Sequence, residues 1–257
     1  MVLLRENFIQ LQIIGLWSPV VWPTDSFKSR AYWFYTAFLI TATYWFGITE
    51  FVNLFVVVDS IDDFSDNSFM LLTTIVVCFK IDMILSKKSE VVALVRTFET
   101  YPHEPINTDE ESICEKFNAR IRLISSVYGG LGEVSVFTMT ISVFFQGIPY
   151  GDLPYKAWIP YDYSTPILYW FTFSLQLLVV IFLASVAFGF DTVLIGLFTL
   201  ICAQFNMLKN RLEKAIDEFK ATEILKSQKE TSDAAKICEN RIKHCIKYHR
   251  AIFEYVG

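Results

Sequence analysis

The chain has 257 residues, of which 53% are hydrophobic, 16% aromatic and only 19% charged, with a net charge of −5. A soluble domain carries about 25% charged residues. The apolar surplus therefore calls for an apolar solvent, and apolar blocks near bilayer length predict a membrane protein with several spans, the lipid bilayer being its first partner. The acidic balance, with no basic stripe interleaved with aromatics, excludes nucleic acid as a partner.

In chain order, the first thirty residues contain Arg5, Glu6, Lys28 and Arg30 and no small-residue cleavage site, so they do not read as a signal peptide. Four segments then qualify as helical spans: Ala31 to Val58, Asn67 to Leu85, Leu123 to Gln146 and Ile167 to Phe190. Each supplies about 17–25 apolar residues, enough to cross a hydrocarbon core. The second is the weakest, because Lys80 and Asp82 lie near one end, where both can snorkel to the interface. The fold class expected is all-α, a polytopic helical bundle.

Basic residues set the orientation. Of the 22 Lys and Arg, 20 fall in segments 1–30, 86–122 and 205–257, whereas the loop after the first span reads Asp59, Asp62, Asp63, Asp66 with no base. The positive-inside rule then places both chain ends in the cytoplasm, segment 1–30 and the helices of segment 205–257, on either side of a transmembrane region 31–204. A rhodopsin-like receptor has the opposite sidedness, and none of Cys78, Cys114, Cys202, Cys238 and Cys245 lies in an outer loop to form an outer disulfide.

The last span does not stop at the membrane. Leu194, Phe198, Ile201, Phe205, Leu208, Leu212, Ile216 and Phe219 recur at spacings of three and four, with no Pro and no Gly after Gly196. This predicts one helix that leaves the bilayer and offers an apolar seam. After a polar stretch near Lys226 to Asp233, a second helix places Ile242, Cys245, His249, Ile252 and Val256 on one stripe. The two helices either pair with each other or dock on a partner.

Several short patterns then coincide. Gly15-Leu16-Trp17-Ser18-Pro19 resembles the Gly-Leu-Trp-Pro signature of the insect odorant receptors. Leu153-Pro154-Tyr155-Lys156-Ala157-Trp158-Ile159-Pro160 resembles their Leu-Pro-Tyr-x-x-Trp-x-Pro outer loop. Pro166 before the fourth span, Asp191 at its inner end, Gln204-Phe205 with Leu208 and Arg211-Leu212, and Cys245-Ile246-Lys247-Tyr248-His249 resemble further elements of that family in the same order. The short stretch from Arg211 to Cys245 resembles a ligand-tuned receptor more than the co-receptor, which has a long insertion there.

The resemblance implies a subunit that binds a small volatile apolar odorant in the outer half of its bundle and, in a hetero-tetramer with the odorant receptor co-receptor, gates a cation channel in the plasma membrane of an olfactory neuron dendrite. It also implies seven helices, the last lining the pore. Ending at Gly257, the chain reads as the amino-terminal portion, an incomplete gene product or a truncated variant that is expected not to conduct ions alone. A gustatory receptor of the same topology and a four-span scaffold without a ligand are the alternatives.

Candidate site residues follow from spacing and polarity. An odorant pocket needs apolar walls and few polar handles. Met70, Thr73, Thr74 and Val77 share a face of the second span, Phe137, Ile141 and Phe145 of the third, and Tyr169, Phe173 and Gln176 of the fourth. Glu133, beside Gly129, Gly130 and Gly132, is an odorant contact or gating element, or else a buried interhelical hydrogen bond. Glu50 reads as a hydrated carboxylate nearer the outer edge. The loop from Gly147 to Pro166, with Pro149, Pro154 and Pro160 and the aromatics Tyr150, Tyr155, Trp158, Tyr161 and Tyr163, is a lid or an interfacial belt. Phe205, Leu208, Leu212 and His249 are the candidate subunit anchor. Cys238, His244, Cys245 and His249 fit no zinc spacing, and Gly129-Gly130-x-Gly132 is no nucleotide loop because it lies inside a span. No cofactor is expected, no catalytic motif is visible, and an enzyme is excluded.

Overall fold

The structure, a computed structural model, describes residues 4–18, 26–57, 60–145, 151–225, 238–243 and 245–250, without the side chains of Arg5, Glu6, Phe219 and 222–225. Several expectations lie outside them: Pro19, Val58, Asp59, Gln146, Pro149, Tyr150, the 226–233 stretch, His244, Ile252, Val256 and the Phe219 side chain. The described elements are helical throughout: α1 (Arg5–Ile14), α2 (Phe27–Val56), α3 (Ile61–Phe98), α4 (Thr108–Phe145) and α5 (Pro166–Leu225), followed by helical residues 238–243 and 245–250. Four of them are long and apolar enough to cross a membrane.

Their ends follow local chemistry. Ser26 caps α2 in an extended conformation, its side chain accepting the Lys28 N–H at 3.3 Å. Ser60 Oγ accepts the Asp63 N–H at 3.1 Å, and Asp62 and Asp63 complement the positive end of α3. Asp109, Glu110 and Glu111 do the same for α4. Pro166 occupies the first position of α5, where its missing N–H costs nothing. With no breaker after it, α5 runs for 60 residues, about 90 Å at 1.5 Å per residue.

The chain divides into two compact units, and α3, α4 and α5 each give residues to both. One, the span unit, holds residues 6–88 and 125–193. On its α2 the buried stripe is Leu39, Thr43, Phe46, Thr49, Glu50 and Asn53. Outside that stripe Trp33, Phe34, Phe38, Trp45, Phe51 and Phe55 are exposed, a surface suited to a hydrocarbon solvent.

One face of helix α1 is buried in this unit. Phe8, Leu11, Ile14, Leu16 and Trp17 are all within the core. Asn7 Nδ2 donates to Ser125 Oγ of α4 at 2.7 Å and to the Thr192 carbonyl of α5 at 2.8 Å. The helix ends in a Schellman turn: Leu16 N–H reaches the Leu11 carbonyl at 3.0 Å, Gly15 N–H reaches that of Gln12 at 3.2 Å, and Gly15 adopts φ +96°. Trp17 is thereby folded back to stack on Phe8, ring centroids 4.5 Å apart. Tyr32 and Thr36 of α2 donate to the Gln12 and Gly15 carbonyls at 3.0 and 2.5 Å.

The glycines of α4 make room for neighbours. A Cβ on Gly129 would strike the Gln10 side chain, and one on Gly132 would lie 2.6 Å from the Phe188 ring. The inward face of α4 is therefore Ile121, Ser125, Gly129, Gly132, Val136 and Val143. Glu133, one residue and about 100° further round, is exposed, so the buried interhelical hydrogen bond expected of it is not made.

Lys80 pairs with Asp191 Oδ1 at 2.7 Å, and Tyr128 OH approaches the other carboxylate oxygen at 3.4 Å. One further expectation changes. Glu50 is not at a hydrated edge: its side chain is fully buried, beside Thr74.

The second unit, the tail unit, comprises Met1–Arg5, Ser89–Ile124 and Leu194–Gly257. Val95, Phe98, Ile121, Leu200, Ala203, Met207, Ala215, Cys245 and Tyr248 form its core.

Candidate functional site

The candidate site in the span unit grows from the first turns of α5. Tyr169 and Phe173, one turn apart, are buried with Val143 of α4, and Leu153, Tyr163 and Leu177 pack on them. Phe144 and Trp170 extend the aromatic set, with centroids 6.1 and 5.5 Å from Phe173. These offset and edge-on contacts give a stiff apolar wall.

The loop over this wall, residues 151–165, is fastened by hydrogen bonds. Gln176 Nε2 donates to the Tyr155 carbonyl at 3.2 Å, and Gln176 Oε1 accepts the Tyr155 N–H at 3.4 Å. Tyr169 OH donates to the Asp152 carbonyl at 3.1 Å. Tyr161 and Thr172 share a hydroxyl bond of 2.7 Å, and the Trp158 N–H donates to the Thr49 carbonyl of α2 at 3.1 Å. Lys156 pairs with Asp63, which raises the lysine above its ordinary pKa. Burial raises the Tyr155 phenol, which therefore stays neutral at physiological pH. The site offers apolar walls, hydroxyls and amides, and a loop tied across it.

The structure ties Gln176 to Tyr155, sets Tyr161 on Thr172, the neighbour of Phe173, and fastens Trp158 to Thr49 of α2 instead. Gln176 is a handle already engaged by the loop backbone. Thr74 and Val77 are buried elsewhere in the unit, Met70 is half-buried, and Thr73 is exposed with its hydroxyl on the Phe69 carbonyl at 2.9 Å. Phe137 and Phe145 are exposed at 66% and 84%, and Ile141 is half-buried. These positions follow the face of Glu133 rather than the glycine face.

In the tail unit, a polar knot escapes sequence reasoning. Glu110 is fully buried, and Arg211 grips it through Nε to Oε1 at 3.0 Å and Nη2 to Oε2 at 2.8 Å. Arg211 also donates to the Pro102 and Glu104 carbonyls, each at 2.8 Å, and lies 4.7 Å from the Tyr248 ring centroid. Glu110 Oε2 further accepts the Ile106 N–H at 3.0 Å, and Tyr248 OH donates to Gln204 Oε1 at 2.5 Å. Burial raises the Tyr248 phenol and lowers the neighbouring His103 imidazole, which Arg211 also disfavours as a cation. Gln204, Arg211 and Tyr248 all stand in the motifs noted above; Glu110 carried no signal.

Of the expected anchor, Phe205 and Leu212 are exposed, Leu208 is half-buried, and the Phe205 and His249 rings meet edge to face at 6.3 Å. The seam Leu194, Phe198, Phe205, Leu212, Ile216 is thus largely open, while Leu200, Ala203, Gln204, Met207 and Ala215 form the buried face.

These features define a multi-pass helical membrane protein with an amino-terminal helix docked in its span unit and a helix continuing beyond the membrane. Residues 60–257 match the family model of the 7tm Odorant receptor, and the chain belongs to that family. It is a family of receptors, not of enzymes. The fold is similar to that of the insect olfactory receptor OR5 from Machilis hrabei, with a TM-score of 0.70 and 15% identity over 98% of this chain and 66% of that one. The same receptor in complex with eugenol is similar with a TM-score of 0.58 and 14% identity over the same shares. The chain thus spans just under two thirds of that receptor's length. No curated protein matches it.

Proposed function

We propose that the chain is the ligand-tuned part of an odorant receptor subunit, taking a small volatile apolar molecule into the outer half of its span unit. The observation that carries this reading is the aromatic cluster of Tyr169 and Phe173 beneath a loop fastened by Gln176. Such a site has the apolar walls and sparse polar groups that suit a small ligand, and the similar receptor from Machilis hrabei has a structure with eugenol. Met70, Thr73, Thr74 and Val77 of α3 and Glu133, Phe137, Ile141 and Phe145 of α4 contribute to the pocket in this reading. Tyr155, Trp158 and Tyr161 act as its lid.

Differential binding of the odorant to the open state shifts the gate of a cation channel shared with the co-receptor in a hetero-tetramer. Phe205, Leu208, Leu212 and His249 anchor the subunits. The base-rich segments support a cytoplasmic amino terminus, and the family resemblance implies the plasma membrane of an olfactory dendrite.

The test is the odorant-evoked cation current in cells that co-express the receptor gene and the co-receptor. Phe173→Ala is expected to shift the dose–response to higher concentration without altering surface delivery. Silence across a broad odorant panel at normal surface delivery overturns the reading.

A further inference from the structure

Lys88 stands three residues beyond Leu85, where the second apolar span is expected to end. Its side chain is half-buried against the turn that follows α1. Nζ donates to Ser18 Oγ at 2.7 Å and lies 5.2 Å from the centroid of the Trp17 ring. That ring is fixed, 3% exposed and stacked on Phe8. Among the described residues no carboxylate pairs with Lys88, and burial is what lowers its pKa, with no acid opposing it. Other partly buried cations have acids: Lys80 pairs with Asp191, and Arg211 with Glu110.

Taking a cation out of water without a counter-ion is costly. This one therefore calls for an anion, and the pair has donors left for it. An ammonium carries three N–H groups, of which Ser18 takes one, and the Ser18 hydroxyl keeps its own hydrogen. Two donors side by side suit two oxygens of one phosphate. The adjoining surface is apolar. Leu85, one turn before Lys88 and so on the same face of α3, is 43% exposed. Ile13, in the last turn of α1, is 73% exposed. A free phosphate ion gains nothing from that surface, whereas a lipid covers it with an acyl chain. Lys28, Arg30 and Lys87 flank the same membrane boundary. Their charge favours a headgroup of net negative charge over phosphatidylcholine, whose phosphate brings its own cation.

We propose that Lys88 and Ser18 receive the phosphate of an anionic membrane phospholipid whose acyl chain lies along Leu85. The site rests on α3 spanning the membrane and is independent of the odorant reading of the α4–α5 cluster.

The test uses the full chain in phosphatidylcholine nanodiscs doped with one of two photoreactive lipids: phosphatidylglycerol with a diazirine on an acyl chain, or the matching phosphatidylcholine. Phosphatidylglycerol is expected to label the segments 9–18 and 81–88 saturably, roughly fivefold more than phosphatidylcholine, the ratio that one lysine gives at an anionic surface. Lys88→Gln should bring the two lipids level, Lys88→Arg should keep most of the difference, and Lys116→Gln, which removes the same charge elsewhere, should leave it unchanged. Equal labelling by the two lipids in the unaltered chain overturns the proposal, because the headgroup is then not read. An equal loss in Lys88→Gln and Lys116→Gln overturns it too, because the attraction is then diffuse. So does displacement by millimolar inorganic phosphate, which would make the ligand a free anion. The comparison of lipids in the unaltered chain stands even if a variant fails to fold.

Discussion

Arg211 and Glu110, 101 residues apart, are joined by a two-pronged ion pair whose carboxylate is wholly buried. The same guanidinium holds two carbonyls of the 99–107 loop and faces Tyr248. Removing one partner leaves a buried charge alone, which costs about 3–5 kcal/mol, whereas replacing both with apolar groups costs far less. Glu110→Ala should therefore lower the unfolding midpoint sharply, and Glu110→Leu with Arg211→Met should recover most of the loss. A Glu110→Ala protein that melts with the parent would show that the pair is not structural.

Beside this knot, His103 is buried against Phe98 and Tyr248, with ring centroids at 5.5 and 4.9 Å. Burial first, and then Arg211, holds its pKa below the ordinary 6.5, although Gln204 opposes this. The unfolded chain then binds the proton more readily than the folded one. The contribution of neutral His103 is complete above pH 6.5 and is lost as pH falls through 6.5 toward the lower folded value. Melting curves from pH 7.5 to 5 should show this loss, and His103→Gln should flatten the profile in that window.

Gly15 combines a left-handed backbone with a close approach: an added Cβ would stand 2.7 Å from Tyr35 Cε1. A non-glycine residue in that conformation costs about 1–2 kcal/mol. Gly15→Ala should destabilise by at least that, with Tyr35→Ala relieving only the steric part. The two terms separate in a double-mutant cycle of thermal midpoints.

Gln176 spends both ends of its amide on the backbone of Tyr155. Gln176→Leu keeps the bulk of the side chain and removes the tie. Amide exchange at Tyr155 should then quicken by roughly tenfold, the equivalent of about one net hydrogen bond. Exchange within the α5 helix should stay unchanged. Unaltered exchange at Tyr155 would mean that Trp158, Tyr161 and Tyr169 hold the loop without it.

The four long helices were legible because hydrophobic runs of bilayer length are a one-dimensional signal. The persistence of α5 past Asp191 was equally plain, since nothing in Leu194 to Phe219 breaks a helix. Helix α1 was not: its ten residues include Arg5, Glu6, Asn7, Gln10 and Gln12, and only docking on Ser125 and Thr192 explains a buried asparagine. The inward face of α4 was not legible for a related reason. Gly129 and Gly132 accept Gln10 and Phe188, and this turns Glu133 outward. Tyr169 and Phe173 could be picked by spacing, whereas the loop fastening depends on carbonyls and amides that any sequence has. Glu110 looked like one more acid at a helix start until Arg211 reached it.

Helix α1 leaves its imprint on residues far along the chain. Leu11 and Ile14 fill the space where a side chain on Gly189 would stand, at 3.0 and 3.2 Å, and Gln10 fills that of Gly129. Removing the inward face of α1 would open a slot along both glycines that neither lipid nor water fits well, so Leu11 and Ile14 are masonry of the span unit.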